Sequence, residues 1–433
     1  MLKLVTKLVG VENSHTLSVA RTHGAYSRIE KAFAMTPEAL IQEVINSNLR
    51  GLGGAGFPAG RKWSFIPKDS PKPRYLVVNA DEGEPGTCKD KYVMIHDPHL
   101  MLEGIIIACR AINAHRCYIY VRGEYDLPIA RVENAIAEAK AAGILGERVM
   151  GHDFALEVVV HRGAGAYICG EETALLESLE GKRGWPRLKP PFPAVEGYMR
   201  CPTVVNNVET LAYVPHVLEM GAPAFAGLGS ERNGGLRMYS ISGHVNKPGV
   251  YELPMGTPLR EIIYEHAGGI PGGRALKAVV PGGSSSPILR ADEIDVKMDF
   301  DSLAKIGSML GSAGIIVFDE TVSIPEAMLV IIRFYAHESC GQCTPCREGT
   351  AWIEEMVARL LSGRGRAGDV DNMLRVSKNI LGNTICPLGD AAALPVMSYV
   401  TKFRSEFEAW LEKSRPVSSF PLPATHIGEP AVA

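Results

Sequence analysis

Apolar positions along the chain follow two rhythms: short unbroken runs that suit buried strands, and spacings near 3.6 residues that suit one face of a helix. Thr36 as N-cap, Pro37 at the first helical position and the series Leu40, Ile41, Val44, Ile45 predict a helix that ends in a glycine loop. Beyond it, Tyr75-Leu76-Val77-Val78 reads as a buried strand, residues 99–112 as a helix and residues 117–121 as a second strand. Asp126 opens a further helix that Gly143 closes, residues 156–160 read as a third strand, and residues 171–179 as a helix ending at Gly181. Strands alternating with helices predict an α/β layered domain.

The texture then changes. Pro186, Pro190, Pro191, Pro193 and Pro202 exclude regular structure and predict a semi-rigid loop. After Gly234-Gly235, residues 236–242 and 250–253 flank the turn Asn246-Lys247-Pro248-Gly249 as a hairpin. A short helix over 259–266 and strands over 277–280 and 314–318 complete a small α+β module. From Pro325 to Lys413 only helical periodicity remains, and the end of the chain is rich in proline and small residues. The expected organisation is an α/β domain over 1–235, an α+β module over 236–324, a helical bundle over 325–415 and an extended tail over 416–433.

With 433 residues the chain has room for several domains, each able to bury a core. Its 45 basic and 48 acidic residues nearly balance, so no field favours nucleic acid or an anionic membrane surface. The N-terminus lacks the apolar core of a secretory signal, and no apolar run approaches the ~18 residues that a span requires. A cytoplasmic location without a direct membrane span is expected.

Nine cysteines are too few for a disulfide scaffold of this length. Cys88, Cys109, Cys117, Cys169 and Cys201 are scattered and read as packing residues. Cys340, Cys343 and Cys346 form a C-x2-C-x2-C run, and Cys386, followed by Pro387, stands 40 positions further on. Short spacers let one turn present three sulfurs to one cluster while the fourth arrives from elsewhere. Structural zinc more often takes two separated C-x2-C pairs, so the spacing favours a [4Fe-4S] cluster.

Other runs carry weaker signals. Successive backbone N–H groups in the glycine-rich segment from Arg50 to Lys62 can cradle a phosphate, with Lys62 adding charge, although it matches neither the dinucleotide fingerprint nor a P-loop. Asn79, Asp81, Glu82 and Glu84 follow a strand, where ligand groups gather in α/β sheets. Gly163 to Thr173 also follows a strand and opens a helix, a place that favours anions. The Lys189-Pro190-Pro191-Phe192 stretch can present an aromatic ring for stacking, and Gly282-Gly283-Ser284-Ser285-Ser286 reads as a surface turn.

Taken together, GLGGAGFPAGRKWSF, NADEGEPGTCKD, GAGAYICGEETALLESLEG, CPTVVNNVETL and ESCGQCTPCREGT resemble the NADH-binding flavoprotein component of respiratory complex I (NADH-quinone oxidoreductase), in order and across nearly the whole chain. The resemblance implies a Rossmann-like FMN- and NADH-binding domain, a ubiquitin-like (β-grasp) module and a C-terminal helical bundle bearing the iron-sulfur cluster. NADH would deliver a hydride to FMN, and single electrons would pass to the [4Fe-4S] cluster and on to quinone through partner subunits. By matching motifs, FMN would contact Gly51, Gly53, Gly54, Gly56, Lys62, Asn79, Asp81, Glu82, Tyr167, Gly170, Glu171, Asn206 and Asn207. NADH would meet Phe57, Phe65, Glu84, Glu172, Lys189 and Phe192, with Glu84 near the nicotinamide. The implied partners are the thioredoxin-like subunit and the large iron-sulfur subunit, which would hold the chain peripherally at the inner membrane. Where the family reads GRGGAGFPTG, this chain has Leu52 for the arginine and Ala59 for the threonine, which weakens the expected flavin anchoring. Diaphorase subunits of NAD-linked hydrogenases or formate dehydrogenases share these motifs, and a metal-stabilised scaffold without flavin is the alternative of another class.

Overall fold

Four of the strands pair into one parallel sheet: β1 (Tyr75–Ala80), β2 (Arg116–Val121), β3 (Glu157–Arg162) and β4 (Thr203–Asn207), in the order β3-β2-β1-β4. The computed structural model describes residues 2–414, and the tail expected over 416–433 lies outside them. Both faces of the sheet are covered, as parallel sheets require. Along β1, Leu76 and Val78 join one apolar core while Val77, pointing the other way, joins a second. Helix Pro98–Ile112 backs the first face, started by Asp97, whose Oδ1 accepts from the Leu100 amide at 3.0 Å. It lies against helix Val208–Met220 so closely that a Cβ on Gly104 would stand 2.0 Å from the Leu211 carbonyl oxygen.

The chain winds from β1 outward through β2 to β3, then returns to place β4 on the other side of β1. Strand order therefore reverses between β1 and β4, and a crevice opens there beyond their carboxyl ends. Sequence patterning missed β4, because its Thr-Val-Val-Asn-Asn run ends in two polar residues.

A second, mixed sheet follows: β5 (Leu236–Gly243), β6 (Gly249–Pro254), β7 (Leu276–Val280), β8 (Leu289–Arg290) and β9 (Gly314–Asp319), ordered β6-β5-β9-β7-β8. Only the β5–β9 pair is parallel. The N-terminal segment is tied to this sheet by one carboxylate. Glu252 on β6 accepts from the amides of Leu4, Val5 and Thr6, from the Thr6 hydroxyl and from the Tyr213 hydroxyl, at 2.7–3.1 Å.

Helices alone make up the rest: Ile324–Glu338, Thr344–Leu361, Asp369–Ile380, Leu388–Lys402 and Arg404–Glu412. Their apolar stripes share a core with Val77, Tyr120 and Val205 of the first sheet and Ala278 and Val280 of the second. Among the described residues no helix is long and apolar enough to cross a membrane.

Candidate functional site

A polar cavity of about 240 Å³ sits at the reversal point of the parallel sheet. Asn79 and Asp81 reach it from the end of β1, Asn207 from the end of β4 and Gly53 from the glycine-rich loop. Tyr167, Gly170 and Glu171 close another side, and Pro387, Leu388 and Ala391 of the helical region complete the wall. A larger cavity, about 620 Å³, opens at the opposite end of the same strands, where Tyr75, Arg116 and Glu157 begin β1, β2 and β3. Ligands of such sheets bind beyond the carboxyl ends of the strands, so the smaller cavity is the candidate.

The glycine loop is closed at its base by Gly51 N–H donating to the Phe57 carbonyl at 2.7 Å and Ala59 N–H to the Leu49 carbonyl at 2.9 Å. Between these points the amides of Gly53, Gly54, Ala55 and Gly56 donate to no acceptor among the described residues, which leaves a row of N–H groups for an anion. Gly54 has φ +151° and space where a side chain would be, whereas a Cβ on Gly56, at φ +68°, would strike the Phe300 ring at 2.5 Å. Leu52 is completely buried; its amide donates to Thr210 Oγ1 at 2.8 Å and its carbonyl accepts from Arg237 Nη1 at 2.7 Å. The position that carries arginine in the resembled motif thus holds a packing residue here, and Arg237 secures the loop from behind. Ala59 is likewise buried.

At the end of β1, Asn79 Nδ2 donates to the Gly170 carbonyl at 2.8 Å, and its Oδ1 accepts from the Asp81 amide at 3.1 Å. Burial pushes the Asp81 carboxyl up to about 7, against the pull of Arg122. Glu82 is also pushed up to about 7 by burial and by neighbouring Asp90. Its oxygens accept from the amides of Asp90 and Lys91 and from the Tyr125 hydroxyl, at 2.8–3.2 Å, so they are engaged in starting helix Asp90–His96. Asn207 caps helix Val208–Met220 through Oδ1 and donates from Nδ2 to Asp90 at 2.6 Å. Asn206 is buried, its Oδ1 accepting from Trp63 Nε1 at 2.7 Å. Lys89 lies buried between Asp90, at 2.7 Å, and Glu209, at 2.9 Å. Burial opposes its charge, but these two carboxylates hold its pKa above the usual lysine value.

Lys62, expected to meet FMN, does not line the cavity and pairs instead with Glu172, one of the residues expected to meet NADH. Lys62 Nζ stands 2.7 Å from Glu172, and Lys189 Nζ bridges Glu171 at 2.7 Å and Glu172 at 3.0 Å. Burial opposes the charge of Glu172, yet the two lysines hold its carboxyl below the usual range. Phe57 and Phe65 are exposed with ring centroids 5.8 Å apart, and Phe192 is exposed on the proline loop. Glu84 differs from these. Burial pushes its carboxyl above the usual range, and it accepts from the Tyr167 hydroxyl at 2.6 Å, the Ser285 amide at 2.7 Å and the Ser284 hydroxyl at 3.3 Å. The serine run 284–286 is therefore no surface turn but a junction between the second sheet and the cavity.

The four grouped cysteines come from one side of the helical region. Cys340 lies in the turn after helix Ile324–Glu338, Cys343 caps helix Thr344–Leu361, Cys346 is in its first turn, and Cys386 precedes helix Leu388–Lys402. They share one apolar cluster, and Cys346 and Cys386 each feel the charge of their neighbours among the four. Burial pushes the free thiols of Cys346 and Cys386 up to about 11 and about 12, so metal binding would have to displace their protons. Among the described residues no group of three or more His, Cys, Asp or Glu closes around a single ion. Four thiols without an oxygen or nitrogen donor match the ligand chemistry of a cluster that takes one cysteine per iron. Pro387, next to Cys386, lines the polar cavity.

Comparison with known proteins accounts for each layer. Residues 44–216 match the family model described as the Nuo51 FMN-binding domain, residues 237–317 the SLBB domain, and residues 326–410 the NADH-ubiquinone oxidoreductase-F iron-sulfur binding region. The second of the NADH-quinone oxidoreductase F subunits of Rhizobium meliloti (strain 1021) is 52% identical over 408 residues, covering 94% of this chain and 97% of the relative. The NADH-quinone oxidoreductase F subunit of Mycobacterium tuberculosis (strain ATCC 25618 / H37Rv) is 52% identical over 406 residues, 92% of this chain and 91% of the relative. Among solved structures, a chain of the NAD+-reducing [NiFe]-hydrogenase in the H2-reduced state superposes with TM-score 0.81 at 36% identity over 89% of this chain, which spans 64% of the hydrogenase chain's length. With half its residues shared over nearly all of its length, the chain belongs to the family of NADH-quinone oxidoreductase F subunits.

Proposed function

We propose that the chain is the NADH-oxidising flavoprotein subunit of an NADH-quinone oxidoreductase, with FMN in the polar cavity and a [4Fe-4S] cluster on Cys340, Cys343, Cys346 and Cys386. One observation carries the reading: the cavity shares a wall with the cysteines, since Pro387 and Leu388 line it directly after Cys386. When bound, the two groups supply the redox chemistry, hydride acceptance from NADH and onward passage of single electrons.

The chain's own residues bind and orient. Free amides of 53–56 and Lys62 suit a phosphate, while Asn79, Asp81 and Asn207 offer hydrogen bonds to polar edges of a flavin. Asp81, with a pKa near neutrality, can present either a donor or an acceptor there. Exposed Phe57, Phe65 and Phe192 offer ring faces to a nucleotide, and Lys189 can exchange its carboxylate partners for a phosphate. Asn206 supports the cavity from behind through Trp63, and Glu82, which lines it, starts helix Asp90–His96.

The order of the second sheet, with its first and last strands parallel at the centre, supports a ubiquitin-like module over 236–324 between an FMN and NADH domain over 1–235 and a cluster bundle over 325–415. Membership of the family supports assembly with a thioredoxin-like subunit and a large iron-sulfur subunit, and through them a cytoplasmic position peripheral to the inner membrane. The likeness to the NAD+-reducing hydrogenase chain supports a second reading as a diaphorase subunit of such an enzyme. Isolation of the native assembly separates the two: quinone reduction by NADH supports the first and hydrogen-dependent NAD+ reduction the second. For the chain itself, purified protein reconstituted with FMN should show a flavin band that NADH bleaches, and should oxidise NADH with ferricyanide as acceptor. Failure of all of these removes the enzyme reading.

A further inference from the structure

Trp185 and Arg183 stand outside every role assigned so far. Both lie on the proline loop, just after helix Glu172–Leu179. The Trp185 indole Nε1–H donates to the Cys340 carbonyl at 3.1 Å, and Arg183 Nη2 reaches the same oxygen at 3.5 Å. The Arg183 guanidinium lies over the indole ring, 4.7 Å from its centroid.

Among the described residues the Cys340 main chain bonds to neither flanking helix, although Arg347 Nη1 donates to the adjacent Gly341 carbonyl at 2.9 Å. Cys343 and Cys346 belong to the start of one helix, where Thr350 Oγ1 donates to the Cys346 carbonyl at 2.8 Å, and Cys386 directly precedes another, its carbonyl accepting from Thr384 Oγ1 at 2.9 Å. Cys340 sits in the turn between two helices, next to Gly341 at φ +76°. The main chain around the tryptophan, by contrast, is well fixed, while Trp185 itself is 39% exposed. Its amide donates to the Arg183 carbonyl at 2.7 Å, and Gly184 runs so close to Cys169 that a Cβ there would meet its sulfur at 2.7 Å. Arg187, two positions on, pairs with Glu177 and Glu180 and donates from its amide to Thr173 Oγ1 at 2.9 Å, which fastens the loop to the helix.

We propose that Trp185, buttressed by Arg183, is a positioning residue that tethers the Cys340 arm of the cluster and sets a positive charge beside it. The inference rests on assigning the cluster to the four cysteines. An exposed carbonyl can bond to water instead, so the indole is not needed to satisfy it. The ring supplies rigidity: two side-chain torsions hold a donor that belongs to a different layer of the protein. The charge acts on the cluster's potential, because a nearby cation favours the form carrying one more electron.

The test uses the cluster-loaded, FMN-containing protein. Trp185→Phe keeps the ring and removes the donor; loss of the cluster's visible absorption and EPR signal under chelator and dilute oxidant should be roughly five-fold faster, the factor that one ordinary hydrogen bond represents. Arg183→Gln should move the cluster's midpoint potential, titrated by EPR, to a more negative value. Trp352→Phe, an exposed tryptophan six positions past Cys346, should match the wild type in both measurements. The flavin-to-protein ratio reports folding of each variant. Wild-type loss rates in Trp185→Phe, or a wild-type potential in Arg183→Gln, overturn the inference while the cluster assignment stands. A cluster signal that survives Cys386→Ala overturns the assignment itself.

Discussion

Replacing Asp81 by asparagine isolates the energetic consequence of burying a carboxyl at the rim of the cavity. Burial raises its pKa from 3.8 to about 7, so the folded protein binds a proton that the unfolded chain has already released. The sign follows from linkage: where the native state holds more protons than the unfolded state, stability falls as pH rises. For this one group the fall begins above pH ~4 and levels off above pH ~7. Between pH 5 and 7.5 it amounts to roughly 2–3 kcal/mol, with a total on the order of 4 kcal/mol at the upper end. Asparagine has nearly the same shape and no proton to exchange. Flavin-free Asp81→Asn should therefore gain stability relative to the wild type as pH rises through this window, read from urea midpoints at several pH values with unchanged slope. It should also bind FMN less tightly, because an amide has a single acceptor oxygen and carries no charge. An Asp81→Asn advantage that stays constant or shrinks from pH 5 to 7.5 would refute the reasoning.

Gly56→Ala must place a methyl group against the Phe300 ring at positive φ, and should cost about 2 kcal/mol or more in urea unfolding while lowering FMN content. Lys189→Gln removes the cation shared by Glu171 and Glu172; the Michaelis constant for NADH should rise roughly ten-fold in the ferricyanide assay, with FMN retained. Cys386→Ala should abolish the cluster's EPR signal and spare bound flavin, since Pro387 and Leu388, and not Cys386, line the cavity.

The features legible in the sequence were those whose cause is local. C-x2-C-x2-C spacing, the unbroken apolar run of β1 and the helix before it, capped by Thr36, each declare themselves within a few residues. Strand β4 did not, because Asn206 and Asn207 are polar for reasons that lie elsewhere, in Trp63 and Asp90. The Gly282 to Ser286 run has a surface turn's composition, and only its bond to Glu84, some 200 positions earlier in the chain, makes it a junction. Trp185 carries no sequence signal at all: its partner is a main-chain carbonyl, which any residue would provide. Leu52, read as a weakened flavin anchor, proves to be core, and its loop is held through backbone atoms that no substitution pattern records.

Glu84 shows why the three layers act as one site. Its carboxylate accepts from Tyr167 beside the parallel sheet and from Ser284 and Ser285 of the second sheet, and Ser284 in turn lies 2.9 Å from the Tyr335 hydroxyl on helix Ile324–Glu338. That same helix ends at Glu338, whose Oε2 accepts from the Tyr167 amide at 3.1 Å, and the next turn carries Cys340. A desolvated carboxylate held by partners from separate layers becomes costly as soon as one layer shifts, because the freed oxygen has little water to replace the lost donor. The junction therefore resists relative movement of the cavity and the cysteine loop. Glu84→Gln should loosen both together: the amide cannot accept from every donor at once, so faster FMN loss and a broadened cluster EPR signal are expected in the same variant. If flavin and cluster respond independently, with one lost at the wild-type rate, the layers are coupled by apolar packing alone and Glu84 is a local residue of the cavity.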